Sequence, residues 1–281
     1  MTTTAVDTAP ARRRGPVQRH PVSTFIVGAI LATWAVQFTF LANGWELFGA
    51  LVIEIFILLG AATGVTAATE GRAGVRRLLA GALRWRFGLR HYAVALLGLP
   101  ALALLFGAVT GTLRAPTGGY LREVLSYLFL TVIFGAVLGN VWEETAWAGF
   151  AQARLTARHG LLRGSLLTAI PFALIHLPLA FEADGLGGTS ARDLTISWVT
   201  LFAAAPFLRY LLGATLIDTA GSLLAVGILH ASFNATQQLT VLDEQWWQPY
   251  LALPVLTVLV AVSRRPRETA RDAQARLDER G

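Results

Sequence analysis

LSYLFLTVIFGAVLGNVWEETAWAG, residues 125–149, decides the fold. It carries no charge until Glu143 and Glu144, and it shows no period-two alternation. A predominantly apolar run of about 20 residues is long enough to cross a bilayer as a helix. In lipid a helix satisfies its own backbone polar groups. Working outward, comparable runs fall at roughly 22–42, 46–66, 91–112, 163–181, 195–217, 221–240 and 249–263, the last short enough to be tilted or interfacial. The expected fold is therefore all-α, a polytopic membrane helix bundle of about eight transmembrane helices.

Composition agrees. Of 281 residues, 54% are hydrophobic and 14% charged, against about 25% charged in a typical soluble domain. There is no cysteine, which excludes disulfides, a thiolate nucleophile and Cys-ligated metal. The net charge of +6 does not point to nucleic acid, because the arginines sit in short clusters between apolar runs. One set of connections holds Arg12–Arg14 and Arg19, then Arg72–Arg90, then Arg154, Arg158 and Arg163, then Arg264–Arg280. The opposite set holds Arg114, Arg122 and Arg192 with Glu182, Asp184, Asp193, Asp243 and Glu244. By the positive-inside rule both termini are expected in the cytoplasm, for a multi-pass protein of the cell membrane. The expected organisation is a disordered cytoplasmic tail over 1–21, a membrane-embedded helical domain over 22–263 with a core at about 120–240, and a cytoplasmic basic tail over 264–281. Residues 71–92 are expected to form an interfacial amphipathic helix.

Ionisable residues inside spans are rare and mark function by default. Here they are Glu46, Glu54, Glu143, Glu144, His176, Asp218 and His230, with Asn140 and Asn234 adding neutral polarity. Glu46 and Asp218 lie near span ends and read as solvated. At about 1.5 Å rise per residue, Glu143 lies roughly 9 Å from the cytoplasmic end of its helix, His230 roughly 14 Å, and His176 and Asn234 roughly 20 Å. One carboxylate pair and two histidines can thus meet in a cavity open to the cytoplasm. Phe172 and His176 are four apart and share a helix face, as do His230 and Asn234. Glu143 and Glu144 point about 100° apart on a helix. One should face the cavity and the other a supporting partner.

These residue types allow water activation. A glutamate takes a proton from water, assisted by a histidine, while the second histidine and the asparagine donate to a developing oxyanion. Alternatively Glu143, His176 and His230 form a three-ligand zinc site with water in the fourth position. HExxH is absent, and no Gly-x-Ser-x-Gly accompanies Ser222 or Ser232.

EETAWAGF (143–150), FALIH (172–176) and HASFN (230–234), in this order on separate apolar segments, resemble the CAAX-protease and bacteriocin-processing (CPBP, or Abi) family of intramembrane endopeptidases. The resemblance implies that Glu143 and His176 activate water, that His230 and Asn234 form the oxyanion region, and that Glu144 is the supporting glutamate. It implies a peptide or membrane-protein substrate met in membrane lipid, and leaves open whether a metal is used. Where the family's first motif ends in arginine, this chain has Ala148. Arg154 could replace that counter-charge only if the helix bends. Two other readings use the same residues: a catalytically inactive peptide-binding scaffold, suggested by Ala148, and a proton-coupled secondary transporter.

Overall fold

A computed structural model describes residues 15–242 and 245–278, with side chains to Arg264. Residues 1–14, most of the expected disordered tail, lie outside the described residues, as do Asp243 and Glu244. No strand occurs among the described residues.

The principal helices are α1 (Pro21–Ala42), α2 (Leu47–Ala80), α3 (Leu89–Thr110), α4 (Tyr120–Leu128), α5 (Val141–Glu144), α6 (Ala153–Ile175), α7 (Ala191–Asp218), α8 (Leu223–Thr236) and α9 (Trp247–Asp278). Between α4 and α6 the chain stays helical but widens into π-helix over Phe129–Asn140 and Thr145–Gln152. Wide turns of this kind occur often at functional sites, and these two flank the glutamate pair.

Among the described residues, five helical runs are long and apolar enough to cross a membrane: α1, α2, α3, Tyr120–Phe181 and α7. Between 22% and 39% of each apolar window is buried inside the protein. The remaining apolar surface needs lipid, because soluble monomers expose apolar patches of only a few hundred Å². Eight spans were expected, and physical reasons account for the smaller number of long apolar runs. The expected spans 125–149 and 163–181 belong to one run of 62 residues. That run breaks at Gly160, whose φ of +78° suits glycine. A Cβ on Gly164 would meet the backbone of Thr156 at 2.7 Å, so the two arms fold tightly against each other. The expected span 221–240 contains α8, whose 14 residues rise only about 21 Å. The expected last span lies within α9, which continues helical to Asp278, through most of the predicted basic tail.

The stretch 71–92 is helical only to Ala80, after a break at Gly71 (φ +66°), and then turns and extends to Gly88. Within its helical part the expected amphipathic pattern is present: Arg72, Arg76 and Arg77 are exposed while Val75, Leu78 and Leu79 are half-buried.

Close helix contacts position the site. α8 packs against the π-helical segment and α5. A Cβ on Gly227 would meet Val141 Cα at 2.9 Å, and one on Gly135 would meet Ala231 Cβ at 2.6 Å. Small residues permit this approach, as is common between membrane helices, and it brings His230 against the glutamates. Ser222 starts α8 as an N-cap, accepting from Ala225 N at 3.1 Å, while its hydroxyl donates to the Arg84 carbonyl.

Candidate functional site

The glutamate pair divides as the helical spacing predicts. Glu144 points into the protein and is fully buried. Its oxygens accept from Arg209 Nη1 at 2.8 and 2.9 Å. Arg209, on α7, is also fully buried. Its Nε and Nη2 donate to Gln152 Oε1 at 3.0 and 2.5 Å, and Gln152 Nε2 donates to the Arg209 carbonyl at 2.7 Å and to Ser165 Oγ at 3.0 Å. The guanidinium carbon lies 5.0 Å from the centre of the Phe172 ring. A charge-assisted network with its donors and acceptors used is what makes a buried carboxylate tolerable.

The same network reaches His230. Its Nδ1 lies 2.9 Å from Glu144 Oε1. A carboxylate only accepts, so Nδ1 carries the proton and Nε2 is left for other work.

Glu143 points the other way, into a cavity of about 940 Å³ that it shares with His176, His230 and Asn234. Asn140 Nδ2 donates to Glu143 Oε2 at 3.0 Å. Glu143 Oε1 is buried without a hydrogen-bond partner, and His176 Nε2 lies 3.9 Å from it. His176 Nδ1 lies 2.6 Å from the carbonyl of Phe172. That bond puts the ring proton on Nδ1 and leaves Nε2 as an acceptor in the neutral ring. The Phe172–His176 spacing thus fixes the tautomer, beyond placing two rings on one face. Asn234 is exposed and lines the cavity.

Other expectations resolve as structural. Ser222 is a helix cap, and Ser232 Oγ is 2.7 Å from Tyr127 Oη in the buried interior. Asp218 pairs with Arg264 at 2.5 Å, and Glu46 is exposed. Arg154 pairs with Glu70 and donates to the Phe150 carbonyl, so it does not reach Glu144. Trp147 packs edge-on against Phe25 and Phe172. Arg209 went unremarked in the sequence. Its signal was an arginine inside the apolar span 195–217, which has the same rarity as the glutamates. What the sequence does not contain is its partner, sixty-five positions away.

Metal-ligand atoms of Glu143, Glu144 and His230 converge within 4.8 Å. This differs from the expected set of Glu143, His176 and His230. The donor chemistry of the cluster fits a metal poorly. Both Glu144 oxygens already accept from Arg209, and the His230 nitrogen nearest the glutamates already bonds Glu144. A cation there would lie against a guanidinium and displace a complete network.

Residues 125–236 match the family model described as Rce1-like, Type II CAAX prenyl endopeptidase Rce1-like. The segment contains Glu143, Glu144, His176, Arg209, His230 and Asn234, and the match agrees with the resemblance read from the three motifs. Over 100 residues the chain is 32% identical to the CAAX prenyl protease 2 of Methanococcus maripaludis. That alignment covers 33% of this chain and 35% of that protein, so the chain spans about a third of the length of this relative.

Proposed function

We propose that this chain, with its segment 125–236 akin to type II CAAX prenyl endopeptidases, is a membrane-embedded endopeptidase that cuts a peptide bond with a glutamate-activated water. The reading rests on one observation: Glu143 Oε1 is buried, unpartnered, and 3.9 Å from an accepting His176 nitrogen at the wall of a cavity. Two acceptors at that separation, neither donating to the other, suit a molecule that brings two protons. A water bridging them donates one hydrogen to each and keeps its lone pairs for attack. Glu143 takes the proton as the carbon–oxygen bond forms and later delivers it to the leaving amine, so the proton count closes.

Asn234 and His230 face the same cavity and supply the oxyanion side. Asn234 donates from its amide. His230 donates from Nε2 when it carries both ring protons, with Glu144 accepting from Nδ1. Glu144 does not touch the reacting atoms; it holds His230, and Arg209 and Gln152 hold Glu144. The roles of Glu143, His176, His230 and Asn234 follow the resemblance, and no step is routed through a metal. Both termini and the open end of the cavity lie on the cytoplasmic side of the cell membrane in this reading, on the strength of the arginine clusters. The substrate is a peptide or a membrane-protein segment.

The test is hydrolysis of a broad panel of apolar peptides by the full chain in liposomes. Turnover by the protein and its loss in Glu143→Ala support the reading. Equal inactivity of the two across the panel overturns it, in favour of a peptide-binding scaffold.

A further inference from the structure

A second carboxylate faces the cavity and has no part in the reaction just described. Glu54, on α2, is 4% exposed. Gln37 Nε2, on α1, donates to its Oε2 at 2.9 Å. Its other oxygen, Oε1, is buried with no hydrogen-bond partner. A carboxylate held for structure alone would be satisfied on both oxygens, as Glu144 is. This one is half satisfied, which is costly in an apolar setting. The side chain lines the same cavity as Glu143, among Phe48, Leu51, Leu130 and Phe134.

The titratable groups of the lining are two carboxyls and two histidines. Glu54 and Glu143 contribute carboxylates, and among the described lining residues there is neither lysine nor arginine. Arg209 does not compensate, because Glu144 and Gln152 occupy it behind the wall. A free terminal carboxylate in this cavity would meet two other carboxyl groups and no lysine or arginine among the described lining residues. A positive group would meet an acceptor already held in place by Gln37.

We infer that Glu54 is a specificity-determining subsite for one cationic side chain, an ammonium or guanidinium, on an apolar peptide segment near the bond that is cut. The assignment rests on the endopeptidase reading for the word "cut", but the binding it describes does not need turnover. Discrimination of this kind comes from the half-satisfied buried acceptor, since a ligand without a donor leaves it unpaired.

The experiment uses the full chain in liposomes and fluorogenic apolar peptides that differ at one position, Lys, Leu or Glu, moved along the segment, each as free acid and as amide. At one register the Lys peptide is expected to exceed the Glu peptide by about tenfold or more in kcat/KM. Glu54→Gln, which keeps shape and volume, should bring that ratio to within about twofold, through a fall for the Lys peptide. Glu54→Asp, which keeps the charge, should retain the preference and so separates charge from a folding defect. The same peptides are titrated for binding to Glu143→Gln, so absence of hydrolysis counts against the endopeptidase reading and leaves the subsite to be judged by affinity. The inference is overturned by a Lys preference that survives Glu54→Gln, by no preference at any register, or by tighter binding of the free acids.

Discussion

Glu143 and Glu144 are adjacent in sequence and sit in opposite kinds of environment. On the Glu144 side every polar group is used: guanidinium, amide, hydroxyl and imidazole form one buried network across α5, α6, α7, α8 and the π-helical turn between them. On the Glu143 side groups are left open: an oxygen without a partner, a histidine nitrogen 3.9 Å away, an exposed asparagine. The saturated half is built to stay still, and the unsaturated half is built to receive something. Lipid sharpens the difference, because there an unsatisfied polar group is retained only where it faces a cavity or a ligand.

That division is broken most severely at Arg209. Arg209→Ala leaves Glu144 as an uncompensated buried carboxylate, a loss of about 3–5 kcal/mol. We expect a large fall in the melting temperature in detergent and loss of folded yield. Ala148→Arg in the same background puts a cation one helical turn from Glu144, at the position the motif reserves for it, and should recover a substantial part of the lost stability. If the double variant is no better than Arg209→Ala, the two arginine positions are not alternative solutions to one electrostatic problem.

Glu143→Gln tests the other half. The amide replaces a group with one orphaned oxygen, so the melting temperature should stay within a few degrees, while hydrolysis falls by about 10²–10⁴ in kcat. Comparable destabilisation in the two variants would erase the contrast between the sides. Asn234→Ala comes next. It removes the proposed oxyanion donor, and about 10²-fold in kcat is expected with KM little changed. A change in KM alone would move Asn234 from the reaction to substrate binding.

Much of this was legible before any coordinates. The apolar runs gave helices because lipid leaves the backbone few alternatives. The near-100° step between Glu143 and Glu144 foretold that they would face apart, and the four-residue spacings put Phe172 with His176 and His230 with Asn234 on common faces. The turn between the expected spans 125–149 and 163–181 was legible too, and it falls at Gly160, a glycine at positive φ. The exact number of crossings was less so, because α8 is only 14 residues long. Depth in the membrane brought Glu143, His176, His230 and Asn234 to one cavity, but the specific partners of the buried charges were not legible. Ala148 looked like a missing charge because a motif is local, whereas Arg209 meets Glu144 through the packing of two helices far apart in sequence. Gln37 beside Glu54 is the same kind of contact.

The smallest expected effect concerns metal. Three ligand-capable groups cluster within 4.8 Å, and by count alone they invite a divalent cation. Their hydrogen bonds point otherwise, because two of the three are committed to Arg209 or to each other. A saturating chelator, followed by removal of the chelated metal, should therefore change the hydrolytic rate by less than about twofold, where a catalytic metal that generates the attacking hydroxide would take nearly all activity with it. Restoration of a lost rate by zinc would place the cation on the open side, where Glu143 and the free His176 nitrogen remain available.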